Sequence, residues 1–276
     1  MTDQDTQPEF KEPKKWRVHH LMQAKRAGRK LTMITAYDAL TAPIFEEAGM
    51  DMILVGDSYG NVQLGYGSTI PVTIEDMERA TASVARSVSR PLIVGDLPFG
   101  TYEHSPQIAF ENAARLIRVG ANAVKFEGGA ELADTVKLLT QSGIPVVGHL
   151  GFTPQSENAL GGPRMQGRGD AKQKMIEDAL ALQEAGAIAI VLELVPAPVA
   201  TEVTAALDVP TIGIGAGPQT DGQVLVWADM AGMNDWVPSF VKKFADARAL
   251  LRSAVEDYRD QVQDGTFPGP ENYKSN

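Results

Sequence analysis

The 276-residue sequence contains no cysteine. That excludes a disulfide framework, a thiolate metal site and a cysteine nucleophile, and it agrees with a reducing compartment. Basic residues are in short supply: 25 Lys and Arg stand against 35 Asp and Glu, a formal charge of -10. Nucleic-acid binding rests on Lys and Arg neutralising phosphates, so this balance argues against it. An anionic small molecule remains admissible where a metal ion or a local lysine supplies positive charge. No apolar run is long enough to span a bilayer. The opening stretch MTDQDTQPEFKEPKK is polar and lacks the apolar centre of a secretory signal. These absences predict a soluble cytoplasmic protein with no membrane and no nucleic-acid partner.

The remaining composition, 43% hydrophobic and 22% charged, is that of an ordinary globular chain. Its length suits one α/β barrel of about 250 residues as well as two average domains. Residues 1–14 read as a flexible polar arm and residues 265–276 as a tail. Between them, over 15–264, no composition break marks a linker.

Within that span, short apolar runs rich in β-branched residues alternate with helical patterns. Strands are expected at Leu31–Tyr37, Met52–Gly56, Leu92–Asp96, Ala123–Glu127, Pro145–His149, Ile188–Glu193, Thr211–Ile214 and Ser239–Phe244. Helices are expected near 39–48, 73–88, 105–119, 130–142, 170–185, 196–207, 222–231 and 245–262. Eight strand–helix units predict a (β/α)₈ TIM barrel. A doubly wound open sheet shares the alternation, but no nucleotide fingerprint follows the first strand. A further helix over 17–27 precedes the first strand and is expected to cap the barrel bottom.

In such a barrel, chemistry sits at the C-terminal strand ends. Polar groups recur there: Asp57 and Ser58 after strand two, Asp96 at the end of strand three, Lys125 and Glu127 in strand four, His149 in strand five and Glu193 in strand six. Strand side chains alternate faces, so Lys125 and Glu127 share one face and Val124 and Phe126 the other. With Val124 and Phe126 toward the helices, Lys125 and Glu127 point into the barrel mouth. Asp57, Asp96 and Glu127 would repel one another unless a cation lay among them. An all-carboxylate set favours a hard ion, Mg²⁺ first and Mn²⁺ second, and argues against a zinc site. Each residue alone has a plainer reading. An Asp after a strand is usually a turn former or a helix cap, and Glu193 would suit a helix N-terminus. Their recurrence at equivalent positions is what carries the argument. His19, His20 and His104 read as surface residues. The turn Gly213–Gln223 looks like a phosphate-cradling loop, and residues 153–168 of the long run Gly148–Arg168 read as an active-site lid.

Eight motifs then resemble one family in order along the chain. They are TAYDALTA (Thr35–Ala42), DMILVGDSYGNVQLGY (Asp51–Tyr66), STIPVTIEDM (Ser68–Met77), GDLPFGTY (Gly95–Tyr102), AVKFEGG (Ala123–Gly129), GHLGFTPQS (Gly148–Ser156), IVLELVPA (Ile190–Ala197) and IGIGAGPQTDGQVLV (Ile212–Val226). They resemble ketopantoate hydroxymethyltransferase, a barrel family of the phosphoenolpyruvate/pyruvate-binding superfamily, from about Val18 to Pro268. The resemblance implies transfer of a hydroxymethyl group from 5,10-methylenetetrahydrofolate to 3-methyl-2-oxobutanoate, giving 2-dehydropantoate in pantothenate biosynthesis. It implies one Mg²⁺ per subunit at Asp57, Asp96 and Glu127. It implies substrate contacts from Asp57, Ser58, Asp96, Lys125 and His149, and Glu193 as the catalytic base. It also implies a homo-oligomer, a decamer of two pentameric rings. Departures are mild: Phe126 stands where Leu is common and Leu194 where Cys is common. Two other readings compete. One is a Mg²⁺-dependent lyase or mutase acting on another keto acid, although such lyases usually carry a catalytic cysteine. The other is a catalytically silent assembly protein, in which nothing would hold three repelling carboxylates together.

Overall fold

Alternation of apolar runs with amphipathic helices builds a closed barrel of eight parallel strands, each hydrogen-bonded to its sequence neighbours, with β8 returning to β1. The computed structural model describes residues 9–274. The strands are β1 (Leu31–Thr35), β2 (Met52–Val55), β3 (Leu92–Asp96), β4 (Ala123–Glu127), β5 (Val146–Gly151), β6 (Ala189–Glu193), β7 (Thr211–Ile214) and β8 (Gly222–Leu225). The helices are α1 (Val18–Arg26), α2 (Thr41–Glu47), α3 (Tyr59–Val62), α4 (Ile74–Ser87), α5 (Pro106–Arg118), α6 (Ala133–Gln141), α7 (Glu157–Leu160), α8 (Ala171–Glu184), α9 (Ala197–Ala206), α10 (Trp227–Met230) and α11 (Ala247–Asp264). Their starts are written locally. Thr73 caps α4 in a reciprocal box with Asp76, and Ser105 caps α5 ahead of Pro106.

Seven strands and most helices lie where the periodicity puts them. The eighth strand does not. Expected at Ser239–Phe244, it is instead Gly222–Leu225, which falls at the start of a stretch read as helix 222–231. Ser239–Phe244 forms no strand and none of its residues is buried. A parallel barrel strand is covered on both faces and tolerates no such exposure, and the two lysines of SFVKKF suit a wet surface. The true strand escaped notice because it is short and begins with glycine. That glycine is required: a Cβ at Gly222 would lie 2.6 Å from the Leu31 carbonyl oxygen and 2.8 Å from Ile212 Cδ1. Only a bare backbone lets β8 fit between β1 and β7.

The chain up to Val226 is one compact unit, and residues from Trp227 onward form a second. All eight strands lie within the first unit. The second unit holds α10 and α11, and Tyr258 packs edge-on against Phe267 within it. Of the arm expected over 1–14, residues 1–8 lie outside the described residues. Phe10 stacks on Trp16 at 5.7 Å, and Glu12 receives hydrogen bonds from Arg29.

Strand parity decides what fills the barrel. Leu31, Met33, Met52, Leu54, Leu92, Val94, Ala123, Val147, Ala189, Val191, Ile212 and Val224 form one apolar cluster. Trp16, Leu21 and Ala24 join it from α1 and the turn before it. Counting on by two, Asp96, Lys125, Glu127, His149 and Glu193 continue the interior columns at the C-terminal end. The barrel is thus dry at one end and charged at the other, and the change occurs within single strands.

Candidate functional site

Register brings the charged residues to one level. Asp96 pairs with Lys125 across β3 and β4, Glu127 with His149 across β4 and β5, and Gly151 with Glu193 across β5 and β6. Asp57 and Ser58 follow β2 at the same end. Asp57, Ser58, Asp96, Lys125, Glu127, His149 and Glu193 line one cavity of about 180 Å³, together with Thr35 and Pro154. Sequence reasoning therefore named residues that do converge. The cavity is smaller than the sites that take drug-sized ligands, which suits a small organic acid. A larger cavity of about 650 Å³ shares Glu127 and His149 with it and extends toward Leu132, Leu160 and Met175.

The electrostatics are those of a buried, over-acidic cluster. Lys125, almost fully buried, meets Asp96 at 2.9 Å. Burial works against its charge, but Asp96, Glu127 and Asp57 outweigh that and hold the ammonium above its ordinary range. Asp96 is pushed up to about 7, by burial first and also by Asp57, with Lys125 opposing. Burial and the neighbouring Glu127 raise Asp57 as well. His149 lies 3.4 Å from Glu127 and 3.3 Å from Glu193. Burial and Lys125 disfavour its cation, yet the two carboxylates carry it up to about 9. Carboxylates that resist ionisation beside a fully engaged lysine mark a site short of positive charge.

That shortage bears on the metal. Among the described residues no three His, Cys, Asp or Glu side chains meet so as to hold an ion by themselves. The expected trio Asp57, Asp96 and Glu127 is thus not a preformed cage. Asp57 and Asp96 adjoin, the Asp57 N–H donating to Asp96 at 3.2 Å. Glu127 is engaged elsewhere, accepting from the Gln155 backbone N–H at 3.0 Å and facing His149. A pair of hard carboxylates fits Mg²⁺, which is commonly bound by one or two carboxylates and completed by substrate and water.

Several positioning residues escaped the sequence reading. Tyr37, buried two residues past β1, sets its hydroxyl 2.8 Å from that of Ser58. Gln155, only 4% exposed, donates through its amide to Asp57 at 2.8 Å and to the Leu97 carbonyl at 3.0 Å. The Tyr102 hydroxyl donates to Gln155 at 2.6 Å. Both residues stand in motifs quoted above, GDLPFGTY and GHLGFTPQS, but their partners are 53 and 98 residues away and no local spacing reveals them. The stretch read as a lid is not uniform: Gln155 is buried, while the larger cavity is bordered along the stretch by Thr153, Gln155, Ser156, Leu160, Gln166 and Gly167. The Gln166 N–H is tied to the Leu194 carbonyl at 2.9 Å.

Glu193 is held by unusual backbone. Leu194 adopts a left-handed conformation with φ +48°, which is uncommon for a residue with a branched side chain. The Phe152 N–H donates to the Glu193 carbonyl at 2.8 Å. The Gly213–Gln223 turn, read as a phosphate cradle, links two adjacent strands. It carries the chain from the end of β7 back to the start of β8 without a helix. Its Thr220 carbonyl receives the Lys30 ammonium at 2.5 Å, just before β1 and at the opposite end of the barrel from the site.

Comparison with known proteins agrees with this geometry. A family model described as ketopantoate hydroxymethyltransferase matches residues 15–270. The chain is 54% identical to the 3-methyl-2-oxobutanoate hydroxymethyltransferase of Acidothermus cellulolyticus, covering 93% of this chain and 95% of that one. It is 50% identical to the protein of the same name from Leifsonia xyli, over 96% of each. Among solved structures, 2,3-dimethylmalate lyase of the PEP mutase/isocitrate lyase superfamily matches with a TM-score of 0.58 and 15% identity, over 90% of this chain and 98% of that one. At that identity the likeness is one of fold.

Proposed function

Because the chain belongs to the ketopantoate hydroxymethyltransferase family, a family of hydroxymethyl-transferring enzymes, we propose that it hydroxymethylates 3-methyl-2-oxobutanoate using 5,10-methylenetetrahydrofolate. The observation that carries this reading is the interior column of Asp96, Lys125, Glu127, His149 and Glu193, with Asp57 at its mouth, all on one small cavity. Asp57 and Asp96 would hold the ion. Mg²⁺ supplies Lewis-acid stabilisation of the negative charge that develops on the keto oxygen.

The chain's own groups divide the remaining work. Lys125 and Ser58 neutralise and orient the substrate carboxylate or the developing enolate oxygen. Glu193 accepts the proton from C3, and the electron pair of that C–H bond becomes the enolate double bond. C3 then forms the new carbon–carbon bond to the methylene carbon of the donor. Both carbon–nitrogen bonds of that carbon break, the first as C3 attacks, its nitrogen taking up the proton held by Glu193, and the second as water supplies the hydroxyl and gives its other proton to the departing nitrogen, so that tetrahydrofolate leaves. His149, between Glu127 and Glu193, holds the product alcohol or the substrate carboxylate. The neighbouring cavity of about 650 Å³ has room for a larger co-substrate, and closure of α7 and the residues after it would protect the enolate from stray protonation.

A second reading, a lyase or mutase on another keto acid, keeps the same metal pair. The test is Mg²⁺-dependent deuterium exchange at C3 of 3-methyl-2-oxobutanoate without folate, followed by folate-dependent product formation. Exchange that is lost in Glu193→Gln while metal binding survives supports the assignment. Undiminished exchange in that variant removes Glu193 from the base role. Absence of any exchange in the natural chain favours the second reading.

A further inference from the structure

We infer that Gln155 is a positioning residue that holds the carboxylates of Asp57 and Glu127 in fixed relation, through a closed ring of hydrogen bonds completed by Tyr102. The ring can be followed atom by atom. Gln155 Nε2 donates to Asp57 Oδ2 at 2.8 Å. Gln155 Oε1 accepts from the Tyr102 hydroxyl at 2.6 Å. The Tyr102 oxygen accepts from the Glu127 N–H at 3.3 Å. Glu127 Oε2 accepts from the Gln155 N–H at 3.0 Å. One residue thus reaches an acid after β2 with its side chain and an acid on β4 with its backbone.

The amide orientation follows from its partners. Asp57 Oδ2 and the Leu97 carbonyl can only accept, so both must face the NH₂ group, which has two hydrogens for the two of them. The opposite face needs an acceptor for the Tyr102 hydroxyl, and the amide oxygen supplies it. Every polar atom of the side chain is therefore used, and the three members of the ring, with Asp57 tethered to it, are all buried.

Chemistry restricts what could replace it. A lysine or arginine at this position would satisfy Asp57 but would bring a full positive charge and compete with a cation. A glutamate would add a further negative charge to the cluster. A neutral amide steers the Asp57 carboxylate while leaving its charge free for an ion. It also anchors the segment that leads into α7, so the foot of that loop is tied to the acids themselves. This rests on the functional reading above, in which Asp57 and Asp96 receive the ion.

Gln155→Met keeps length and volume and leaves the backbone N–H to Glu127 intact, but removes all three side-chain bonds. Tyr102→Phe removes only the far hydroxyl. For the full-length chain and each variant, the Mn²⁺ dissociation constant (free Mn²⁺ read by paramagnetic resonance), kcat and KM for the keto acid, and the thermal midpoint would be measured. Gln155→Met is expected to weaken Mn²⁺ binding by about tenfold, the worth of one hydrogen bond to a charged group, and to lower kcat more than it raises KM. Tyr102→Phe should move the same quantities in the same direction by less. A folded Gln155→Met with natural Mn²⁺ affinity and kcat overturns the inference, even if its midpoint drops. If that variant does not fold, natural Mn²⁺ affinity in Tyr102→Phe overturns it. A natural chain that neither binds Mn²⁺ nor exchanges C3–H overturns the functional reading together with the inference, whereas variants that match an active natural chain sink the inference alone.

Discussion

His149 Nε2 lies 3.3 Å from a carboxylate oxygen of Glu193, while the other ring nitrogen lies 3.4 Å from Glu127. The ring therefore bridges two acids on the strands that flank its own, one beside the acids proposed to hold the ion and one at the proposed proton-accepting position. Groups that share a partner this closely do not act independently.

Consequently, His149→Asn and Glu193→Gln should be non-additive. The double variant is expected to lose less exchange rate than the product of the two single losses, by a coupling of about 0.5–3 kcal/mol. A double-mutant cycle on C3 exchange measures it, and strict additivity would show that the 3.3 Å approach carries no function.

Lys125→Met removes the positive charge nearest the buried acids. Its partner Asp96 is almost fully buried, and an unpaired buried charge costs about 3–5 kcal/mol. The metal-free variant should unfold at markedly lower urea than the natural chain. Because loss of Lys125 removes the group that opposes the upward shift of Asp96, the deficit should be largest at high pH and shrink as the acid takes up a proton. Equal urea midpoints would mean that the acid cluster is relieved by some other group.

Gly151 has φ +98°, and a Cβ there would collide with the carbonyl oxygen of Glu193 and come within 2.8 Å of Val195 Cγ2. Gly151→Ala should displace the Glu193 backbone, on which the proposed base is mounted. An exchange rate lowered by about 10²-fold is expected, in the range that misplacement of a reacting group produces. Natural exchange in a folded Gly151→Ala would show that the strand end can yield.

Glu46 offers a pH test away from the site. Burial alone would raise its carboxyl, but the N–H groups of Ser89 and Arg90, the Ser89 hydroxyl and the Arg90 charge hold it below the ordinary 4.5. A depressed folded-state value stabilises the fold above the unfolded value, and that stability is lost as pH falls through the folded one. Glu46→Gln should thus be less stable than the natural chain at pH 7, by up to about 1 kcal/mol. The gap should narrow once the pH drops below about 4.5. A gap that is constant from pH 7 to pH 3 would place the effect in packing, not in charge.

Much of the barrel was legible in the sequence because its signals are local. A run such as LIVGD or AVKFE announces a buried strand by itself, and period-two alternation is enough to put Lys125 and Glu127 on one face. Seven strands, the ends on which the acids sit, and the interior column follow from that rule. β8 was not legible, because GQVL is four residues with a glycine at its head. What makes it a strand is the gap between β1 and β7, and the gap exists only once the other seven strands have closed.

The site divides in the same way. Residue type and position along each strand identified Asp57, Ser58, Asp96, Lys125, Glu127, His149 and Glu193. Which of them touch was decided by strand register, which pairs Asp96 with Lys125 and Glu127 with His149, and by loops that fold back over the barrel mouth. Gln155 and Tyr102 entered through those loops. The sequence by itself determined which charges arrive at the barrel mouth, since alternation is a property of each strand alone. The tertiary structure decided how they are held, leaving Asp57 and Asp96 adjoining and Glu127 bound to Gln155 and His149, since hydrogen bonds between residues dozens of positions apart depend on packing.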